Sequence, residues 1–158
     1  MTSSWRTTSA DETVMAGRSF GSTLRRGDVV ALIGELGSGK TQFAKGVCTA
    51  LGVTESVTSP TFVLLNRYTG KDRAGKELLV YHFDLYRIDA AREILDLGFE
   101  EIVSSGGVCM IEWAEKLGSH LPASAMVVKF NHGTNERHRL IESQIPFAEI
   151  SSKERALA

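Results

Sequence analysis

Eight residues constrain this chain more than any others: Gly34-Glu35-Leu36-Gly37-Ser38-Gly39-Lys40-Thr41. Glycine, four residues, then Gly-Lys-Thr is the pattern of a loop joining a buried strand to a helix around a phosphate group. The glycines let the backbone curl until successive N–H groups point inward at an anion. Lys40 adds a cation for the β- and γ-phosphates, and the Thr41 hydroxyl is placed to ligate Mg²⁺. The positive end of the following helix faces the same anion. A chance match in a chain of this size is on the order of one in a hundred. The flanks fit as well. Asp28–Ile33 is mostly aliphatic and reads as a buried strand, and Lys40 to Leu51 reads as a helix closed by Gly52. Bound ATP with Mg²⁺ is the expectation.

The rest of the chain alternates strand and helix signals. A strand is expected near Trp5–Thr8 and a helix from Asp11 to Leu24, capped by Ser9 or Asp11. Thr61–Tyr68 and Glu77–Phe83 read as an antiparallel hairpin around the polar turn Thr69–Lys76. Helical spacing over Ala90–Val103 rests on Ile94, Leu95, Leu97 and Ile102. Val108–Trp113 reads as a strand, Ala114–Leu121 as a short helix, and Ala125–Phe130 with Arg139–Ile145 as two late strands around a turn at Asn131–Asn135. The result is an α/β fold with a mixed parallel and antiparallel central sheet. Residues 1–150 are expected to form one ATP-binding domain, followed by a polar tail at 151–158.

Charge and cysteine usage narrow the setting. The formal net charge of −1 carries no basic excess of the kind that drives non-specific nucleic-acid binding. Service to an RNA is therefore expected to run through protein partners. Two cysteines, Cys48 and Cys109, stand far apart in no metal-ligand spacing and read as small buried apolar side chains. No membrane span and no secretory leader are expected, which points to a cytoplasmic protein.

A phosphate loop needs an acidic partner at the end of a neighbouring strand, within reach of the cation or its waters. Asp84 ends the run Leu78 to Phe83, and Glu112 ends the run Val108 to Ile111. The pattern does not choose between them. The four histidines, His82, His120, His132 and His138, show no ligand spacing, and no chemistry is assigned to them.

Four segments in order, namely Gly34 to Thr41, Ser59-Pro60-Thr61-Phe62, His82-Phe83-Asp84-Leu85-Tyr86-Arg87 and Ile111-Glu112-Trp113, resemble the TsaE (YjeE) family. That family comprises bacterial ATPases of tRNA threonylcarbamoyladenosine biosynthesis. The resemblance runs from about Asp11 to Leu140 and implies a small three-layer P-loop NTPase-like fold. It also implies slow ATP hydrolysis that resets a TsaB–TsaD complex, with tRNA touched only indirectly and no membrane contact. Carried over by position, Lys40 contacts phosphate, Thr41 and Glu112 hold Mg²⁺, and Asp84 acts through water. Thr61 falls at a switch-like threonine that senses the γ-phosphate. Glu35, Leu36, Gly37, Ser38, Gly39 and Gln42 complete the nucleotide contacts from the loop. Trp113 lies beside the site, Arg137 approaches the nucleotide, and Glu12 within Asp11-Glu12-Thr13 lies near the base. Gln42 stands where the family usually has a second threonine, which leaves its effect on turnover open.

Other readings use the same residues. Ser59 to Phe62 can be a turn entering a strand, with Pro60 fixing φ and Phe62 buried. A small-molecule kinase is the rival enzyme class, although no arginine lies between Trp113 and Arg137 to build a lid. A non-hydrolysing, nucleotide-gated binding module is the third.

Overall fold

The computed structural model describes residues 3–144. Within them one sheet is formed by β1 (Ser3–Thr7), β2 (Val29–Gly34), β3 (Leu65–Lys71), β4 (Glu77–Asp84), β5 (Val108–Glu112), β6 (Met126–His132) and β7 (Arg139–Ser143). The helices are α1 (Ala10–Gly21), α2 (Lys40–Ala50), α3 (Ala91–Leu95) and α4 (Phe99–Val103), with a 3-10 helix over Ala114–His120. The strands lie in the order β1-β7-β6-β2-β5-β4-β3. β2 runs parallel to both its neighbours, β4 is parallel to β5, and β3, β7 and β1 pair antiparallel. The mixed α/β sheet and P-loop NTPase-like fold expected from the sequence are present.

Strand parity sorts the core into two layers, because alternate side chains leave opposite faces of a sheet. Val30 and Leu32 of β2, Leu78 and Val80 of β4, and Val108 and Met110 of β5 pack with α1 and α2. Val29, Ala31, Tyr81, Phe83, Cys109 and Ile111 pack on the other side with Ile94, Phe99 and Leu117. Continued by two residues, the same parity carries His82 and Asp84 of β4, and Glu112 of β5, to the α2 face. Register completes the placement, since Asp84 lies opposite Glu112.

The helix that follows the phosphate loop is held down by α1. Gly17 and Gly46 face each other's backbones so closely that an added Cβ would sit 2.0 Å from Phe43 O and 1.9 Å from Val14 O, respectively. Around this contact Phe43 meets Phe20 at 5.6 Å and Phe130 at 5.2 Å between ring centroids. Ser9 caps α1, its Oγ accepting from Glu12 N at 3.1 Å. Cys48 and Cys109 are buried free thiols, and burial pushes both up to about 12, so they stay protonated and apolar at neutral pH.

Three elements differ from the sequence expectation. β3 begins at Leu65 rather than Thr61, because Val63 N and Leu64 N close a turn on Pro60 O and Leu64 adopts φ 67°. Phe62 is accordingly 82% exposed, not buried, and lies under the Arg87 guanidinium at 4.2 Å. The helix expected over Ala90–Val103 is broken into α3 and α4 by Gly98 at φ 83°, and Leu97 is exposed at the break. At the other end of the hairpin, β3 runs on to Lys71, and the turn narrows to Asp72–Lys76, where Asp72 Oδ1 accepts from Ala74 N and Lys76 N. No helix among the described residues is long and apolar enough to cross a membrane. The polar tail at 151–158 and the expected strand end at Ile145 lie outside the described residues.

Candidate nucleotide-binding site

The site is built where the central strand stops. β2 ends at Gly34, the loop passes Gly39 at φ 102°, a left-handed angle that favours glycine, and α2 starts at Lys40. Lys40 is 4% exposed. Its Nζ donates to Gly34 O at 2.6 Å, Glu35 O at 2.8 Å and Ser38 Oγ at 3.3 Å. It also lies 4.3 Å from the Trp113 ring centre. Desolvation lowers its pKa below the usual lysine value, opposed by the carboxylates of Glu112, Glu115 and Asp84. The ammonium is thus folded back onto neutral oxygens of its own loop.

The two candidate acids have different partners. Thr41 Oγ1 lies 3.0 Å from Glu112 Oε1 and 3.1 Å from Oε2, so the hydroxyl donates to that carboxylate. Asp84 sits one strand further out. Its Oδ2 accepts from Thr61 Oγ1 at 2.7 Å, and its Oδ1 accepts from Tyr86 N at 3.0 Å. Ser59 Oγ lies 2.7 Å from Thr61 Oγ1. Both carboxylates are buried, at 3% for Glu112 and 4% for Asp84. Trp113 follows Glu112 at φ 59°, which ends β5 and turns the indole over Lys40 and against Tyr86, 5.1 Å between rings. These groups open into one cleft of about 350 Å³ that also takes in Leu36, Gly37 and Gln42.

The remaining expected contacts fall to either side. Arg137 lines an adjoining depression with Thr13, Gly39 and Gln42. Glu35 is exposed. Glu12 turns away: its Oε2 accepts from Thr8 N at 2.7 Å, and it lines a separate depression with Trp5 and Arg6. Of the segment Asp11-Glu12-Thr13, it is Thr13 that borders the phosphate loop, with its methyl 3.2 Å from where a Gly39 Cβ would stand.

Two residues passed over in the sequence belong here. His82, fully buried, places Nε2 2.6 Å from Glu112 Oε2. Ligand spacing was the wrong test for it. The informative signal is its place two residues before Asp84, on the strand face turned toward α2. Arg139 donates to Gly37 O at 2.9 Å and ties the loop to β7. No periodicity in the sequence marks that contact.

The match to known proteins is decided by a family model. The model "Threonylcarbamoyl adenosine biosynthesis protein TsaE" covers residues 7–141. The chain belongs to the TsaE family. A tRNA threonylcarbamoyladenosine biosynthesis protein TsaE of Treponema pallidum is 42% identical over 120 residues, spanning 76% of this chain and 84% of that protein. Its counterpart from Bacillus subtilis is 33% identical over 149 residues, spanning 94% and 87%. The crystal structure of Bacillus subtilis YdiB superposes with a TM-score of 0.73 at 31% identity, covering 90% of this chain and 84% of that one. All four motif segments lie inside the TsaE match.

Proposed function

We propose that this TsaE-family protein binds Mg·ATP in the Lys40–Glu112 cleft, hydrolyses it slowly, and serves tRNA threonylcarbamoyladenosine biosynthesis as an accessory ATPase. One observation carries the reading: the Thr41 hydroxyl meets the buried Glu112 carboxylate beside the Lys40 ammonium.

The residues fit the expected ligands. A loop that binds its own lysine through carbonyl oxygens holds a desolvated cation ready for phosphate oxygens. Among the described residues no group of three or more His, Cys, Asp or Glu forms a metal cage. An oxygen-only pair, Thr41 with Glu112, suits Mg²⁺, which keeps waters and phosphate oxygens in its shell. Such an ion supplies charge neutralisation on the phosphate oxygens when bound. Lys40 would exchange its carbonyl partners for phosphate oxygens, and the loop amides would hold the same anion. Thr41 and Glu112 would hold the cation, and Asp84, carrying Thr61, would orient water at its edge. Trp113, backed by Tyr86, covers the ammonium and limits its hydration.

Among the described residues no arginine lines this cleft. A cation supplied from outside would complete the charge on the transferring phosphoryl group, so turnover is expected to rise on docking to TsaB–TsaD. The tRNA is then reached only through that complex, in keeping with the net charge of −1.

Calorimetric titration with ATP, in Mg²⁺ and in EDTA, tests the site. Thr41→Ala should bind ATP in EDTA like the wild type and lose about 10-fold of the affinity that Mg²⁺ confers, or about 1.4 kcal/mol. ATP affinity indifferent to Mg²⁺ in the wild type would remove the proposed cation site.

A further inference from the structure

The proposed function leaves one buried group of the site without a role, His82. It lies in β4 between Tyr81 and Phe83, opposite Met110 of β5, with no exposure to solvent. Burial of a histidine in an aliphatic layer carries a desolvation cost that a core leucine would avoid, so its contacts matter. Nε2 stands 2.6 Å from Glu112 Oε2, the length of a hydrogen bond to a charged acceptor. Nδ1 has no hydrogen-bond partner in the structure. An imidazole that satisfies one nitrogen and leaves the other bare is in place for that one bond. The carboxylate accepts, so Nε2 carries the hydrogen of that bond.

We infer that His82 is a positioning residue that fixes the orientation of the Glu112 carboxylate toward the cation. Glu112 Oε2 is pinned from the core by His82, while Thr41 approaches both oxygens from the loop. Rotation of the carboxylate about its terminal bond would break the His82 bond, so the imidazole holds the carboxylate plane in one orientation beside Thr41. Without the imidazole the side chain loses that orientation. The inference rests on the proposal that Glu112 holds Mg²⁺, and it goes beyond that proposal by giving the buried histidine a role in metal affinity. Outer partners of metal-holding carboxylates typically contribute 10- to 100-fold in affinity.

The test compares wild type, His82→Leu and His82→Gln by calorimetric ATP titration in Mg²⁺ and in EDTA, with thermal unfolding of each nucleotide-free protein. Glutamine places an amide N–H near the position of Nε2, whereas leucine fills the space without a donor. His82→Leu is expected to bind ATP in EDTA within about 3-fold of wild type and to lose about 10-fold or more of the Mg²⁺-conferred gain. His82→Gln is expected to restore most of that gain. Recovery by glutamine separates orientation from packing, because a core-filling role would be served at least as well by leucine. If His82→Leu keeps the full Mg²⁺ gain, the positioning role is overturned while the ATP site stands. It is equally overturned if both variants lose affinity in Mg²⁺ and EDTA alike. A wild type with no Mg²⁺ gain overturns the cation site itself, and this inference with it.

Discussion

Gly46→Val is expected to destabilise the protein by about 4 kcal/mol or more, most of the stability of a domain near the low end of the ordinary range. On helix propensity alone, replacing a helical glycine stabilises by up to about 1 kcal/mol. Geometry overrides that gain. The first side-chain carbon would stand 1.9 Å from Val14 O and 2.7 Å from Arg18 N, both backbone atoms that cannot rotate aside. α1 and α2 would have to separate, opening the packing of Phe20, Phe43 and Phe130. Gly17 repeats the contact from the other helix, with its added carbon 2.0 Å from Phe43 O. Urea unfolding measures the effect. A Gly46→Val midpoint close to wild type would show that the two helices are not locked at this distance.

Lys40→Ala should cost about 100-fold or more in ATP affinity with little loss of fold stability. Charge-assisted hydrogen bonds contribute roughly 1.5–3 kcal/mol each, so two bonds to phosphate oxygens account for at least that factor. The ammonium is also poorly hydrated where it lies, which strengthens its pull on an anion. Its present partners are the carbonyls of Gly34 and Glu35, the first half-buried and the second exposed, and the buried Ser38 hydroxyl at 3.3 Å, so water can replace the two carbonyl bonds. Calorimetry and thermal unfolding report the two effects separately. Near-wild-type affinity in the variant would take Lys40 out of the binding site.

The loop and its flanking elements were legible because one local pattern dictates all three: an aliphatic strand, a glycine turn, and a helix beginning at lysine. The mixed sheet followed from the alternation of element types, and the antiparallel hairpin from a polar turn between apolar runs. What escaped the sequence is a local turn, a helix break, and contacts between residues distant along the chain. Thr61 to Leu64 contains β-branched and aromatic residues that look like a strand, yet Pro60 O accepts from Val63 N and Leu64 N, and Phe62 stays at the surface. The break between α3 and α4 turns on one glycine inside an otherwise helical run. Spacing to other histidines carries no signal for His82, because its partner is a glutamate 30 residues on, brought beside it by strand pairing. Asp84 and Glu112 were equivalent as strand-end acids. Only the packing of α2 against β5 distinguishes them, by setting Thr41 against Glu112 and leaving Thr61 to Asp84.

The most direct measurement is steady-state ATP hydrolysis in Mg²⁺ by the purified protein, alone and with TsaB and TsaD, with Lys40→Ala run in parallel. Slow turnover alone, raised on the order of 10-fold or more by the partners and lost in Lys40→Ala, is the expected result for a cleft with no arginine among its described lining residues. Clear ATP binding with no stimulation by TsaB and TsaD, or stimulation that survives Lys40→Ala, would contradict it.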